Sequence, residues 1–173
     1  MSACNTETIK LIGKYLNTPV GPVCYNTDRV LTTVLGKQNV YGFASIVLQL
    51  VSKSGVQMSQ ENLLLSYQWL EHIAIYSNQA VTNPILAKNF LQDINKALQR
   101  NTYLTGNFIN IVDVATYYAL YPLLERLPIY ERESLLHLFR WSKHIQAQPK
   151  VCSSKPPLAL NNLTLSVLAP IAH

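Results

Sequence analysis

The stretch Gly106-Asn107-Phe108-Ile109-Asn110-Ile111-Val112-Asp113-Val114-Ala115-Thr116-Tyr117-Tyr118-Ala119-Leu120 decides the fold of this 173-residue chain. It joins a turn, a helix start and an almost unbroken apolar helix. A helix that is apolar on nearly every side must be surrounded by protein, so the other helices are expected to pack around this one. Asn110 is placed as N-cap, its side-chain oxygen accepting from the amide of Asp113 while the Asp113 carboxylate accepts from the amide of Asn110, a variant capping box. Ile109, just before the cap, and Val114, four residues after it, are placed as a hydrophobic staple. Loss of such a cap costs about 1 kcal/mol. Asp113 also sets a negative charge in the first turn, where the helix dipole favours it. A structural cap therefore outweighs a catalytic carboxylate.

Beyond this helix, Pro122 predicts a kink or an end, because proline cannot donate to the carbonyl of Tyr118. After Leu127-Pro128 a further amphipathic helix carries Leu135, Leu138, Phe139, Trp141 and Ile145, and Pro149 closes it. Residues 152–173 read as a tail; from Ser153 on, Pro156-Pro157 and aliphatics without clear period leave it extended over the body or disordered.

On the other side, Asn83-Pro84 starts a helix with the apolar stripe Leu86, Phe90, Leu91, Ile94, Ala97 and Leu98. Before it, Ser59 caps a helix whose Leu63, Tyr67, Leu70 and Ala74 share one face, widened by Trp69 and Ile73. Residues 57–151 thus form an all-helical domain. Residues 1–56 differ: a short helix over Thr8–Leu16, one strand over Val30–Leu35, and a helix opened by Gly42 with Phe43, Ile46, Val47 and Leu50 at helical spacing. The fold class is α+β, mostly α.

Composition limits the function. Apolar residues make up 49% of the chain and charged residues 13%, which is low for the surface of a lone globular protein and points to partner-covered faces. The net charge of +5 is spread over isolated lysines and arginines, so direct nucleic-acid binding is weakly signalled. Three cysteines, far apart and without C-x-x-C spacing, indicate neither a disulfide framework nor zinc. No secretory signal or membrane span is visible, so a soluble intracellular protein is expected. The sequon Asn162-Leu163-Thr164 carries little weight without such a signal.

Candidate chemistry is thin. His137 and His144 share a helical face with Glu133 a turn away, but no further ligands converge, so no metal and no cofactor are expected. Gly-rich phosphate loops and a G-x-S-x-G elbow are absent. Tyr117 and Tyr118 read as core tyrosines with their hydroxyls on backbone or water. Arg140 beside Trp141 reads equally as an interface anchor and as an arginine snorkelling over a core tryptophan.

Tyr103-Leu104-Thr105-Gly106, Phe108, the Asn110–Asp113 box, Tyr117-Tyr118 and Arg140-Trp141-Ser142-Lys143-His144-Ile145-Gln146 with Pro149 resemble the C-terminal helical domain of the glutathione-transferase superfamily. Val30–Leu35 followed by Val40-Tyr41-Gly42-Phe43-Ala44-Ser45-Ile46 resembles the end of its thioredoxin-like domain, here degenerate and shortened. The likeness covers roughly residues 9–151 and is strongest to the scaffold members of the multi-aminoacyl-tRNA-synthetase complex. Departures from the enzymes are specific. Val30 stands where they carry a cis proline, and Tyr41-Gly42 where they carry an acidic residue or Gln followed by Ser. The stretch before Val30 is also too short for a complete unit of strand, helix and strand with its activating residue.

The resemblance therefore implies a non-catalytic adaptor, in the cytoplasm and with the nucleus as a second location. It implies pairing with the glutathione-transferase-like domains of methionyl-tRNA synthetase and glutamyl-prolyl-tRNA synthetase. By the same resemblance Arg140 is the leading interface residue for one partner, and the helix with Phe43, Val47 and Leu50 for the other. The alternatives are a glutathione-dependent transferase with an atypical site and a weak tRNA-binding module.

Overall fold

The computed structural model describes residues 4–160. Helix α1 (Cys4–Tyr15) buries Ile9 and Ile12. Gly13 on that helix is required by packing, because a Cβ there would run into the Val20 side chain returning over it. Three antiparallel strands follow in the order β1-β2-β3: β1 (Val23–Tyr25), β2 (Leu31–Leu35) and β3 (Gln38–Tyr41). Only the middle strand matches the sequence expectation. β1 has three residues and β3 opens with Gln38-Asn39, so neither shows the β-branched alternation that marks β2. The two-residue Gly36-Lys37 turn, with Gly36 at φ 72°, closes the β2–β3 hairpin in the register Leu35 opposite Gln38.

Gly42 at φ 85° leads into α2 (Phe43–Lys53), which packs on the sheet and on the next helix. That helix, α3 (Gln60–Thr82), starts on Ser59, whose side chain accepts from the Asn62 amide at 3.3 Å. Its buried seam is Ser66, Leu70, Ile73, Ser77 and Ala80. Leu70 and Ile73 match the expectation; Leu63 and Tyr67 do not, and both are exposed. Small residues occupy those seam positions instead, and they let α3 lie against the central helix. Asn83 ends α3 and caps α4 (Pro84–Ala97), accepting from the amides of Ile85 and Leu86 at 3.0 and 3.2 Å.

Helix α5 (Ile111–Arg126) is the centre, buried on almost every residue from Ile111 to Leu124. It does not stop at Pro122 but continues to Arg126, held by neighbours on all sides. The short α6 (Ile129–Arg132) and a 3₁₀ turn (Glu133–Leu135) lead to α7 (Leu136–Gln146), which buries Leu138, Phe139, Trp141 and Ile145. The chain beyond α7 lies along the body: Tyr118 Oη donates to the Val151 carbonyl at 2.9 Å and Tyr121 Oη to that of Pro156 at 3.0 Å. The Leu158 amide donates to Gln146 Oε1, and Lys155 pairs with Glu7 at 2.8 Å. The remainder of the expected tail lies outside the described residues. One apolar cluster runs from α1 and the sheet through α2 to α5 and α7. The architecture is α+β and mostly helical: a reduced thioredoxin-like unit followed by a glutathione-transferase-like bundle.

Candidate interaction surfaces

The start of α5 is a polar knot around the fully buried Asp113. Asp113 Oδ2 accepts from the Asn110 amide at 2.9 Å, and Asp113 Oδ1 accepts from the Leu104 amide at 3.0 Å and from Trp141 Nε1 at 2.8 Å. The Asn110 side chain completes the capping box, accepts from the Ile111 amide, and donates to Ser66 Oγ on α3 at 2.9 Å. Val114 is buried, whereas Ile109 is exposed, so the staple position adds little burial at this end of the helix. Burial pushes the Asp113 carboxyl above its ordinary range, against the pull of the Leu104, Trp141 and Asn110 donors. Four segments meet at this one side chain and its cap: the Leu104 turn, α3, α5 and α7.

Because Trp141 is turned inwards to that knot, Arg140 is turned outwards. Its Nη2 donates to the carbonyls of Leu98 at 2.9 Å and Asn101 at 3.1 Å, closing the C-terminal end of α4. Arg140 therefore does not snorkel over Trp141; Arg132 is the arginine over a ring, 5.8 Å from the centroid of Phe139. The two bonds through Nη2 leave the Nε and Nη1 hydrogens for another acceptor on this exposed surface. Phe108, in the loop before α5, is 85% exposed.

Phe43, Val47 and Leu50 are placed differently from the expectation. They are 3%, 0% and 0% exposed, packed into the chain's own core, and offer no surface to a partner. The reason is the periodicity itself: the apolar stripe that marks an amphipathic helix is the face it buries. The outer side of α2 instead carries the half-buried Ser45, Leu48 and Gln49. Alongside it, α3 exposes Leu63, Leu64 and Tyr67, with Leu64 at 63%. A Cβ on Gly42 would sit 4.0 Å from the Glu71 carboxylate, so α3 passes the β3–α2 junction at Glu71; Tyr41 at that junction is also exposed. On α3 itself Leu63, Leu64 and Tyr67, at positions i, i+1 and i+4 of one helix, form an exposed apolar strip. Its signal in the sequence is that α3 has more apolar residues than one stripe can hold.

The groups with reactive potential are occupied structurally. Tyr117 Oη donates to Gln146 Oε1 at 3.1 Å, and burial raises its pKa well beyond the ordinary phenol range. Burial pushes Tyr118 up to about 12, with the neighbouring Cys152 and Tyr15 adding to it. Among the described residues no group of His, Cys, Asp and Glu is arranged to hold a metal ion, and His137 and His144 gather no such partners. Among the same residues no helix is long and apolar enough to cross a membrane.

The fold is that of the glutathione transferases. A theta-class glutathione S-transferase from Xanthomonas axonopodis pv. citri, in its apo form, matches with a TM-score of 0.63 over 91% of this chain and 94% of that one, at 16% identity. Residues 65–149 match the family described as nuclear-export cofactor Arc1p. In sequence the chain is similar to eukaryotic translation elongation factor 1 epsilon-1 from Cricetulus griseus, 32% identical over 122 residues, which are 64% of this chain and 65% of that protein. The Mus musculus protein of the same name is 30% identical over 125 residues, 65% of this chain and 67% of the relative. The human one is 29% identical over 115 residues, 64% of this chain and 65% of the relative. The chain belongs to the translation elongation factor 1 epsilon-1 family. The match spans slightly less than two thirds of the length of the hamster and human relatives.

Proposed function

We propose that this protein is a non-catalytic scaffold subunit of a multi-aminoacyl-tRNA-synthetase complex, working in the cytoplasm and also in the nucleus. On this reading it joins methionyl- and glutamyl-prolyl-tRNA synthetases by pairing with their glutathione-transferase-like domains. The observation that carries the reading is the exposed apolar strip of Leu63, Leu64 and Tyr67 on α3, on a fold whose Tyr117, Tyr118, Tyr121 and buried Asp113 are tied into structure. Exposed apolar residues gathered on one turn of a helix favour a protein partner, since scattered ones would carry no such meaning. Arg140, with guanidinium hydrogens left unused, suits an acidic rim on the second partner. Family membership and the Arg140-Trp141 run support the identity of those partners.

The test is affinity capture of the full chain from cells, followed by identification of the bound proteins. Recovery of both synthetases is the expected result. Recovery of neither, under conditions that keep the complex intact, rejects the proposal. Calorimetry with millimolar reduced glutathione separates the enzyme alternative, for which heat of binding is required and none is expected here.

A further inference from the structure

We infer that a shallow pocket between α3 and α4 receives an arginine side chain from the protein that docks along α3, which rests on α3 being a docking face. The pocket, of about 380 Å³, is lined by Gln68, Trp69 and His72 of α3 and by Asp93 of α4. It offers ring surface, an amide and a carboxylate, with no lysine or arginine in its lining.

The rings are held in place by one another. The His72 imidazole meets Trp69 edge-on at 5.8 Å, leans on Tyr76 at 4.5 Å, and has the buried Phe90 of α4 at 5.9 Å. Tyr76 in turn stacks on Phe90 at 5.9 Å, so the ring cluster joins α3 to α4. Side chains that are already held lose little freedom when a ligand arrives. Burial pushes His72 below its ordinary value, against the pull of Asp93, so at neutral pH it presents an uncharged ring and repels no cation.

Asp93 sets the sign of the ligand. Its carboxylate has a loose contact with Lys96, 3.9 Å away between two side chains that are both largely exposed, and such a pair holds little. A carboxylate beside aromatic rings selects a cation, and a flat one best: a guanidinium stacks on a ring while donating two parallel bonds to the carboxylate, which a lysine ammonium cannot do. What flanks the pocket makes the ligand a protein side chain. Leu64 and Leu65, both exposed, stand one turn before Gln68 and Trp69, and Ile75, exposed as well, stands one turn after His72. Apolar residues on both sides of a polar pocket form the dry surround that an arginine anchor uses in a protein interface, whereas a small ammonium compound would leave them uncovered.

Titration of the full chain with N-acetyl-arginine amide, followed by nitrogen–proton NMR, tests the pocket itself. The chain has two tryptophans. The indole signal of Trp69 and the amides of residues 68–76 and 90–93 move, while the indole signal of Trp141 stays. The corresponding citrulline amide, an uncharged isostere, binds at least about fivefold more weakly, and Asp93→Asn weakens the arginine amide by about fivefold. Asp93→Lys, a change at an exposed position, loses the same synthetase as Leu64→Asp in capture from cells. No shift at tens of millimolar arginine amide, or equal shifts with the citrulline amide, overturns the inference and leaves the α3 strip standing. Capture lost in Leu64→Asp but unchanged in Asp93→Lys overturns it too. Capture unchanged in both variants overturns the inference together with α3 as a docking face.

Discussion

Trp141 Nε1 donates to Asp113 Oδ1 at 2.8 Å, tying α7 to the first turn of α5 through a fully buried carboxylate. The same oxygen accepts from the Leu104 amide, and its partner oxygen from the Asn110 amide. Asp113→Ala removes the acceptor from two buried donors and one part-buried donor at once, so a loss of roughly 3–5 kcal/mol is expected in urea unfolding. Trp141→Phe keeps most of the ring volume and loses one charge-assisted bond, about 1.5–3 kcal/mol. The double variant should cost clearly less than the sum, because both changes remove the same bond. Strict additivity would mean that the two side chains act independently.

The two sides of α2 and α3 should separate stability from association. Leu50→Ala opens a cavity in a packed core and is expected to cost about 2–5 kcal/mol, lowering the melting temperature markedly. Leu64→Asp lies on the exposed strip and should leave the melting temperature within a degree or two, roughly 0.5 kcal/mol, while abolishing capture of one synthetase. If Leu64→Asp binds both synthetases normally, the strip is not the docking face.

Arg140→Ala should have a mixed effect. Losing the donors to Leu98 and Asn101 frays the end of α4, for a cost of about 1 kcal/mol, seen as faster exchange of the amides from Asn101 to Leu104. Binding of the second synthetase should weaken further than this fraying explains, by about 2 kcal/mol in a titration with the isolated partner domain. Arg140→Lys restores at most one of the two carbonyl contacts and should fall between.

Alkaline pH should weaken the fold through Tyr118. Its ordinary value is 10.0 and burial pushes it up to about 12 in the folded chain. The unfolded chain therefore releases this proton first as pH rises. The favourable contribution is fully present below pH 10.0 and is lost as pH climbs towards about 12. Tyr118→Phe carries no phenol to titrate, so its stability should decline less steeply over that window. Equal slopes for the two proteins would place the alkaline loss elsewhere.

The parts of the fold legible in the sequence are those with strong local signals. Ser59, Asn83-Pro84 and the Asn110–Asp113 box state where helices begin, because each satisfies backbone amides that nothing else can reach. The continuous apolar run of α5 announces its central place. β1 and β3 escaped because a three-residue strand and an edge strand with Gln38-Asn39 are held by pairing with β2, which is a non-local effect. Pro122 shows the opposite case: local chemistry argues for a kink or an end, and the helix does not end there but runs on to Arg126. The surfaces were harder. Apolar periodicity at Phe43, Val47 and Leu50 marks a helix correctly but marks its inner face, and the exposed apolar residues of α3 are recognised only once Ser66 and Ser77 are seen to share the buried seam with Leu70, Ile73 and Ala80. The reach of Arg140 to Leu98 and Asn101 depends on how α7 crosses α4, and nothing near Arg140 in the chain reports it.

Asn5 on α1 is buried, donates to the Ala74 carbonyl on α3 at 3.1 Å, and accepts from Ser77 Oγ at 3.2 Å. Helix α1 thus belongs to the bundle as fully as to the sheet that comes after it. The boundary near residue 56 divides two patterns of sequence, and these two hydrogen bonds cross it. Heating should give one calorimetric transition, and a fragment that starts at α3 would carry an open trench where α1 had lain. Any attempt to transplant the helical half as a portable binding module has to bring the first fifteen residues with it.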